Sequence, residues 1–215
     1  MSRAAEPGGP DALVRASLAA GVRDERVLDA IRAVPRADFV PRELVDRAYE
    51  DTPLPIPHGQ VTTQPSLVAR MVEGLGFEGG ERVLEVGTGY GWQTALLARL
   101  AGEVFSIERF PDLAEPARRA LLETGVENAT VVVGDGSAGL PERSPFDAVL
   151  VAAAFPSVPA PLREQLAPGG RLVQPIGPGG ADDVTLFVKE EGGLRAVEAL
   201  VPAHFVRLHG EHGFG

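Results

Sequence analysis

The stretch Glu85-Val86-Gly87-Thr88-Gly89-Tyr90-Gly91 stands between a short apolar run at 82–86 and a longer one at 92–100. The first run has the length of a strand and the second that of a helix. Glycines between them let the backbone turn tightly and let a ligand approach it. A strand that passes directly into a helix feeds a crossover rather than a hairpin, and so commits the chain to parallel pairing. The alternation then continues: strands at 103–107, 129–133, 146–151 and 171–174, with helices at 111–124 and 159–166 between them. Right-handed crossovers at this spacing give a doubly wound α/β fold. The end differs. Runs at 184–189 and 194–201 flank Glu190-Glu191-Gly192-Gly193, which predicts two antiparallel strands and a mostly parallel seven-stranded sheet.

Before residue 82 the pattern is helical. Asp24 is placed to cap a segment whose Val27, Leu28, Ile31 and Val34 recur at helical spacing, and Pro35 stops it. Pro53, Pro55, Pro57 and Gly59 predict a stiff extended loop over 49–61. Another helix starts near Pro65, carries Leu67, Val68, Met71, Val72 and Leu75 on one side, and ends at Gly74 and Gly76. The chain divides into an expected disordered tail at 1–10, an N-terminal helical extension and loop at 11–64, and one ligand-binding unit at 65–215.

Several classes of function are excluded. No run of about 18 apolar residues exists to cross a membrane, and the N-terminus lacks the apolar core of a secretory signal, so a cytoplasmic protein is expected. The absence of Cys excludes disulfides, thiol nucleophiles and cysteine-ligated zinc. Lys+Arg 20 against Asp+Glu 30 gives a net charge of −10, which disfavours nucleic acid as a partner. His209 and His212 are suitably spaced for a metal pair, but two ligands near a terminus read as solvated side chains, so no metal is expected. Trp92 reads as helix–sheet packing, Arg118-Arg119 as a solvated helix face, and Arg36, Arg42 and Arg47 as surface charges able to attract an acidic peptide.

Ligands of open parallel sheets lie beyond the carboxyl ends of the strands. Three acids end successive strands there: Glu85, Glu108 and Asp135, the last within Gly134-Asp135-Gly136. A carboxylate at the first tip suits an ammonium group, at the second a ribose diol, and at the third an adenine edge. The glycine spacing is G-x-G-x-G rather than the dinucleotide G-x-G-x-x-G, and no Gly-Lys-Ser/Thr is present to hold a triphosphate. A ligand with ribose, base and positive charge but no phosphate is implied, which S-adenosylmethionine fits better than NAD. A tight turn with no ligand is the bland alternative for the loop.

These residues resemble the class I S-adenosylmethionine-dependent methyltransferases, whose fold is Rossmann-like. More narrowly, the chain resembles the protein-L-isoaspartate O-methyltransferases over about residues 11–214. The selective segments are Arg32-Ala33-Val34-Pro35-Arg36-Ala37-Asp38-Phe39-Val40-Pro41 and Gly59-Gln60-Val61-Thr62-Thr63-Gln64-Pro65. Val83 through Thr94 and Gln165 through Val173 are shared more widely. The resemblance implies methyl transfer from S-adenosylmethionine, with S-adenosylhomocysteine as product, to the α-carboxylate of L-isoaspartyl residues in damaged proteins and peptides. The ester then closes to a succinimide that partly restores aspartate.

By position, the resemblance assigns Glu85, Gly87, Thr88 and Gly89 to the methionine part of the cofactor, Glu108 to its ribose, and Asp135 with Gly136 to its adenine. Thr63 becomes the hydroxyl beside the reacting carboxylate, and His58, Gly59, Gln60, Thr62 and Ala153 contact the acceptor. A monomer is expected. Two departures stand out: Thr63 replaces the family's common Ser, and Pro57-His58 replaces a pair that is commonly Gly-Tyr. Both lie on the acceptor side, so they bear on acceptor preference. Three other readings remain open on the sequence: a relative that methylates an aspartyl side chain in a modified peptide, a non-catalytic recognition module, and a nicotinamide oxidoreductase.

Overall fold

The computed structural model describes residues 8–215, so positions 1–7 of the tail expected over 1–10 lie outside the described residues. Helix α1 (Pro10–Ala19) starts within the last residue assigned to that tail, with its proline in the first turn, where a missing N–H is not needed. Helix α2 (Glu25–Ala33) is capped by Asp24, whose side chain accepts from the Arg26 N–H at 2.9 Å, and buries Val27, Leu28, Ala30 and Ile31. Two 3₁₀ turns, Arg36–Phe39 and Arg42–Arg47, come next.

The proline-rich segment is more ordered than an extended loop. It forms a short antiparallel hairpin of β1 (Leu54–Ile56) and β2 (Gln60–Thr62). Pro55 is compatible with it because it sits at the exposed middle position of a two-stranded pair, where no further ladder bond is required. Helix α3 (Pro65–Leu75) buries Val68, Met71, Val72 and Leu75 and ends at Gly76, which takes the left-handed conformation.

The main sheet comprises β3 (Arg82–Val86), β4 (Glu103–Glu108), β5 (Ala129–Val133), β6 (Phe146–Val151), β7 (Leu166–Ile176), β8 (Asp182–Glu190) and β9 (Gly193–Ala203), in the order β5-β4-β3-β6-β7-β8-β9. The first five strands in this order are parallel, and β8 and β9 add an antiparallel hairpin at the edge. Strand β7 begins earlier than expected, because Ala167-Pro168-Gly169-Gly170 continues it past an irregular register with β6.

Crossover helices α4 (Trp92–Leu100) and α5 (Pro111–Glu123) cover one sheet face with α3, while α6 (Ala160–Gln165) covers the other. One core holds Ile31, Met71, Leu96, Leu121 and Val83, and joins α1 and α2 to the sheet. The second holds Phe105, Phe146, Leu162 and Leu208. Strand order reverses between β3 and β6, which places a crevice at the tip of β3.

Candidate active site

A cleft opens at that reversal. One wall is the glycine loop after β3, where Gly87, Gly89 and Gly91 have φ of 97°, 55° and 92°. A Cβ on Gly87 would stand 3.3 Å from the Ala152 Cβ, in a backbone conformation that side chains rarely adopt. The Gly136 backbone presses against β3 from the far side, where a Cβ would come within 2.4 Å of Val86 Cγ1. These are contacts that only glycine allows.

Glu108 lies in the cleft wall at the end of β4 and is 5% exposed. Its two carboxylate oxygens accept the backbone N–H of Gly89 at 2.9 Å and of Phe110 at 3.0 Å. A carboxylate offers about four acceptor directions, so its remaining lone pairs are available to a diol. The opposite wall is built from the hairpin and the turn into α3, Ile56, Gln60, Thr62 and Thr63, together with the almost fully buried Arg36. Gly87, Thr88, Gly89, Glu108, Gly136, Gln60, Thr62, Thr63 and Ala153 thus line one space, as the resemblance grouped them.

Four grouped residues lie elsewhere. Glu85 does not line the cleft. It is fully buried beneath the loop, where its carboxyl accepts from Gln93 Nε2 at 2.8 Å and from the hydroxyls of Thr94 and Ser106. Burial pushes it up to about 7, although the Ser106, Thr94 and Gln93 hydrogen bonds work against the shift. The Ser106 hydroxyl also meets that of Thr88, so Glu85 supports the loop through a buried chain instead of facing an ammonium group.

Asp135 also lies outside the cleft lining. Its carboxylate accepts the Ser137 N–H and hydroxyl at 2.9 and 2.7 Å and the Glu211 N–H at 2.7 Å. Burial opposes its charge, but these donors together hold its carboxyl below the usual range. Its neighbour Gly136 is the member of the pair that reaches the cleft. His58 and Gly59 form the hairpin tip and stand outside as well. His58 stacks on Phe110 with ring centroids 4.0 Å apart, and its Nε2 lies 2.9 and 2.8 Å from the Asp112 carboxylate oxygens.

Sequence reasoning missed several wall residues. Phe110 and Leu113 come soon after Glu108, as hydrophobic residues beside an acid at a strand tip. The C-terminal segment is the larger omission: Val206, Arg207, Leu208 and His209 also line the cleft. Ala154 and this segment exchange backbone bonds, Ala154 N to Val206 O and Leu208 N to Ala154 O, both at 2.8 Å. The apolar Phe205, Val206 and Leu208 were the available signal. Trp92 packs as expected, donating its ring N–H to the Val34 carbonyl at 3.2 Å, but it also reaches the cleft. Arg36, read as a surface charge, is 1% exposed.

The donor set fits S-adenosylmethionine. A close-approach glycine loop, a carboxylate and an apolar wall are present, and the loop lacks the lysine that a triphosphate would require. Among the described residues no group of three or more His, Cys, Asp or Glu is placed to hold a metal.

Comparison with known proteins agrees with the geometry. The family model described as protein-L-isoaspartate(D-aspartate) O-methyltransferase matches residues 10–213. A protein-L-isoaspartate O-methyltransferase of Anaeromyxobacter dehalogenans (strain 2CP-C) is 55% identical over 190 residues, covering 87% of this chain and 91% of that one. One from Aeropyrum pernix is 49% identical over 197 residues, covering 90% and 76%. A solved protein-L-isoaspartate O-methyltransferase superposes with a TM-score of 0.82 at 31% identity, over 95% of this chain and 67% of that one. A Plasmodium falciparum structure, described as a complex with S-adenosyl-L-homocysteine, shares the fold with a TM-score of 0.79 at 22% identity, over 95% and 99%. Over residues 10–213, from the N-terminal helices to the C-terminal segment, the chain belongs to the protein-L-isoaspartate(D-aspartate) O-methyltransferase family.

Proposed function

We infer that this cleft binds S-adenosylmethionine across the tips of β3 and β4 and esterifies the free α-carboxylate of an L-isoaspartyl residue presented from the hairpin side. The observation that carries this reading is the meeting of two walls in one cleft, Gly87–Gly89 with Glu108 on one and Thr62 with Thr63 on the other. Glu108 would hold the ribose hydroxyls, Gly136 would admit the base, and Gly87 to Gly89 would follow the amino-acid end.

When bound, the cofactor supplies a methyl group on a sulfonium; an acceptor oxygen gains it as the carbon–sulfur bond breaks, and both opposite charges disappear. An α-carboxylate has a reference pKa of roughly 3.3–3.7, so it is anionic at neutral pH and needs no general base. The chain's task is therefore alignment, which can contribute up to about 7–11 kcal/mol. Hydroxyls suit that task because they orient a carboxylate without placing a competing cation against it. Thr63 stands on the ridge between this cleft and a second groove lined by Leu67, Arg70 and Phe205. That position suits a residue beside the reacting group of an acceptor whose chain must leave the cleft.

The net charge of −10 disfavours nucleic acid as a partner, and the lack of Cys suits a reducing cytoplasm. No helix among the described residues is long and apolar enough to cross a membrane.

The test offers labelled S-adenosylmethionine with an isoaspartyl peptide and with its ordinary aspartyl twin. Base-labile label is expected on the first alone. Equal labelling of both would favour a side-chain carboxylate methyltransferase, and label on neither would remove the reading. Within it, Thr63→Val should lower kcat at least about tenfold, the range of a lost hydrogen bond to a charged group, while S-adenosylhomocysteine binds as before. Unchanged kcat would take Thr63 out of the mechanism.

A further inference from the structure

Arg36 is almost completely buried on the hairpin side of the cleft, and methyl transfer as described needs no cation there. Burial lowers it to about 10, which leaves it charged at neutral pH. Its Nη1 donates to the carbonyls of Ala48 and Glu50, each at 3.0 Å, and its Nη2 to the Thr52 carbonyl at 3.3 Å and to Thr62 Oγ1 at 2.9 Å. The guanidinium carbon lies 5.6 Å from the centre of the Trp92 ring. Asp51 fixes the chain on the other side of Thr63, accepting from Gln64 Nε2 at 2.9 Å and from the Ser66 N–H and hydroxyl at 2.8 Å.

The consequence lies at Thr62. Its oxygen accepts from Arg36 and also from the Leu54 N–H at 3.1 Å. A hydroxyl has two lone pairs and one proton, so with both lone pairs engaged it can only donate. Among the described residues nothing accepts that proton, and Thr62 lines the cleft. We propose that Thr62, fixed by Arg36 as an obligate donor, holds one oxygen of the acceptor carboxylate and leaves the other to receive the methyl group. Arg36 is then a positioning residue that acts through Thr62. A guanidinium touching the carboxylate directly would hold the nucleophile too well, whereas through a hydroxyl it sharpens a donor without forming an ion pair. This rests on the carboxylate methyltransfer reading above.

The test measures steady-state methylation of an isoaspartyl peptide and calorimetric binding of S-adenosylhomocysteine for wild type, Thr62→Val, Thr62→Ser, Arg36→Lys and the Arg36→Lys/Thr62→Val double variant. Thr62→Val should lower kcat/KM for the peptide about 10- to 100-fold, the range for a hydrogen bond to a charged group. Its affinity for S-adenosylhomocysteine should stay within about twofold on the same grounds, since neither partner of that bond belongs to the cofactor. Thr62→Ser should recover most of the loss. Arg36→Lys should lower kcat/KM when Thr62 is present and have little further effect when combined with Thr62→Val, the signature of two residues acting as one unit.

Full activity of Thr62→Val overturns the proposal. Weakened S-adenosylhomocysteine binding in that variant does so too, because the hydroxyl would then serve the cofactor. Multiplying effects of the two substitutions would overturn the role of Arg36. If Arg36→Lys fails to fold, the Thr62 variants decide alone. A wild-type protein that methylates no peptide carboxylate removes the underlying reading, an outcome distinct from all of these.

Discussion

Glu85 and Glu108 end neighbouring parallel strands, yet one is sealed under the glycine loop and the other opens to the cleft. The sealed one makes stability depend on pH. A carboxyl raised to about 7 holds its proton in the folded state at pH values where the unfolded chain has released it. Stability from this group is therefore present below the unfolded value of 4.5, falls as pH rises towards 7, and is flat above. In urea unfolding, Glu85→Gln should gain on wild type by on the order of 3 kcal/mol between pH 4.5 and 8, at 1.36 kcal/mol per pKa unit. A pH-independent difference would contradict the assignment. At Gly136 the expected effect is steric: Gly136→Ala drives a methyl into Val86, and overpacking of this kind typically costs about 1–3 kcal/mol. Thermal unfolding should show that loss together with weaker S-adenosylhomocysteine binding; an unchanged midpoint would show that the loop is free to move.

The glycines and Glu108 were legible in the sequence because local pattern alone puts them at strand tips. The environments of Glu85 and Asp135 were not. Ser106 lies 21 residues from Glu85, and Glu211 lies 76 from Asp135, and no periodicity carries such pairings.

Among the elements, the parallel strands and their crossover helices were readable because short apolar runs alternate with segments of helical spacing between glycine and proline turns. The β1–β2 hairpin was not, since three-residue strands among prolines carry little pattern. What secures its tip is His58, held at φ 62° by its stack on Phe110 and its contact with Asp112. This ties the hairpin side of the cleft to the start of α5. Its side chain is 38% exposed, so the ion-pair component is small and the stack supplies most of the hold. His58→Ala should release about 0.5–1.5 kcal/mol of local stability, seen as faster hydrogen exchange at the β1 and β2 amides with exchange in the main sheet unchanged. Equal protection in the hairpin would show that it needs no such latch.

For the molecule as a whole, the fold class and the mostly parallel seven-stranded sheet follow from the alternation of elements, while the closure of the cleft does not. The segment after β9 returns across the strand tips, pairs with Ala154, and places Phe205 and Leu208 in the two cores. Deleting residues 204–215 removes both anchors, each worth about 1.5–3 kcal/mol of buried surface, and takes away part of the cleft wall. The truncated chain should unfold at lower temperature and lose S-adenosylhomocysteine binding. Retained binding would show that the remaining walls suffice.

The central claim is that a nucleoside donor lies across the strand tips while an ionised acid group faces it from the hairpin. The most direct measurement is a crystal structure with S-adenosylhomocysteine and an isoaspartyl peptide bound together. The expected result puts the ribose on Glu108, the amino-acid end over Gly87 to Gly89, and the peptide carboxylate against Thr62 and Thr63. Nucleoside density elsewhere, or a carboxylate on the far side of the sulfur from these hydroxyls, would contradict it.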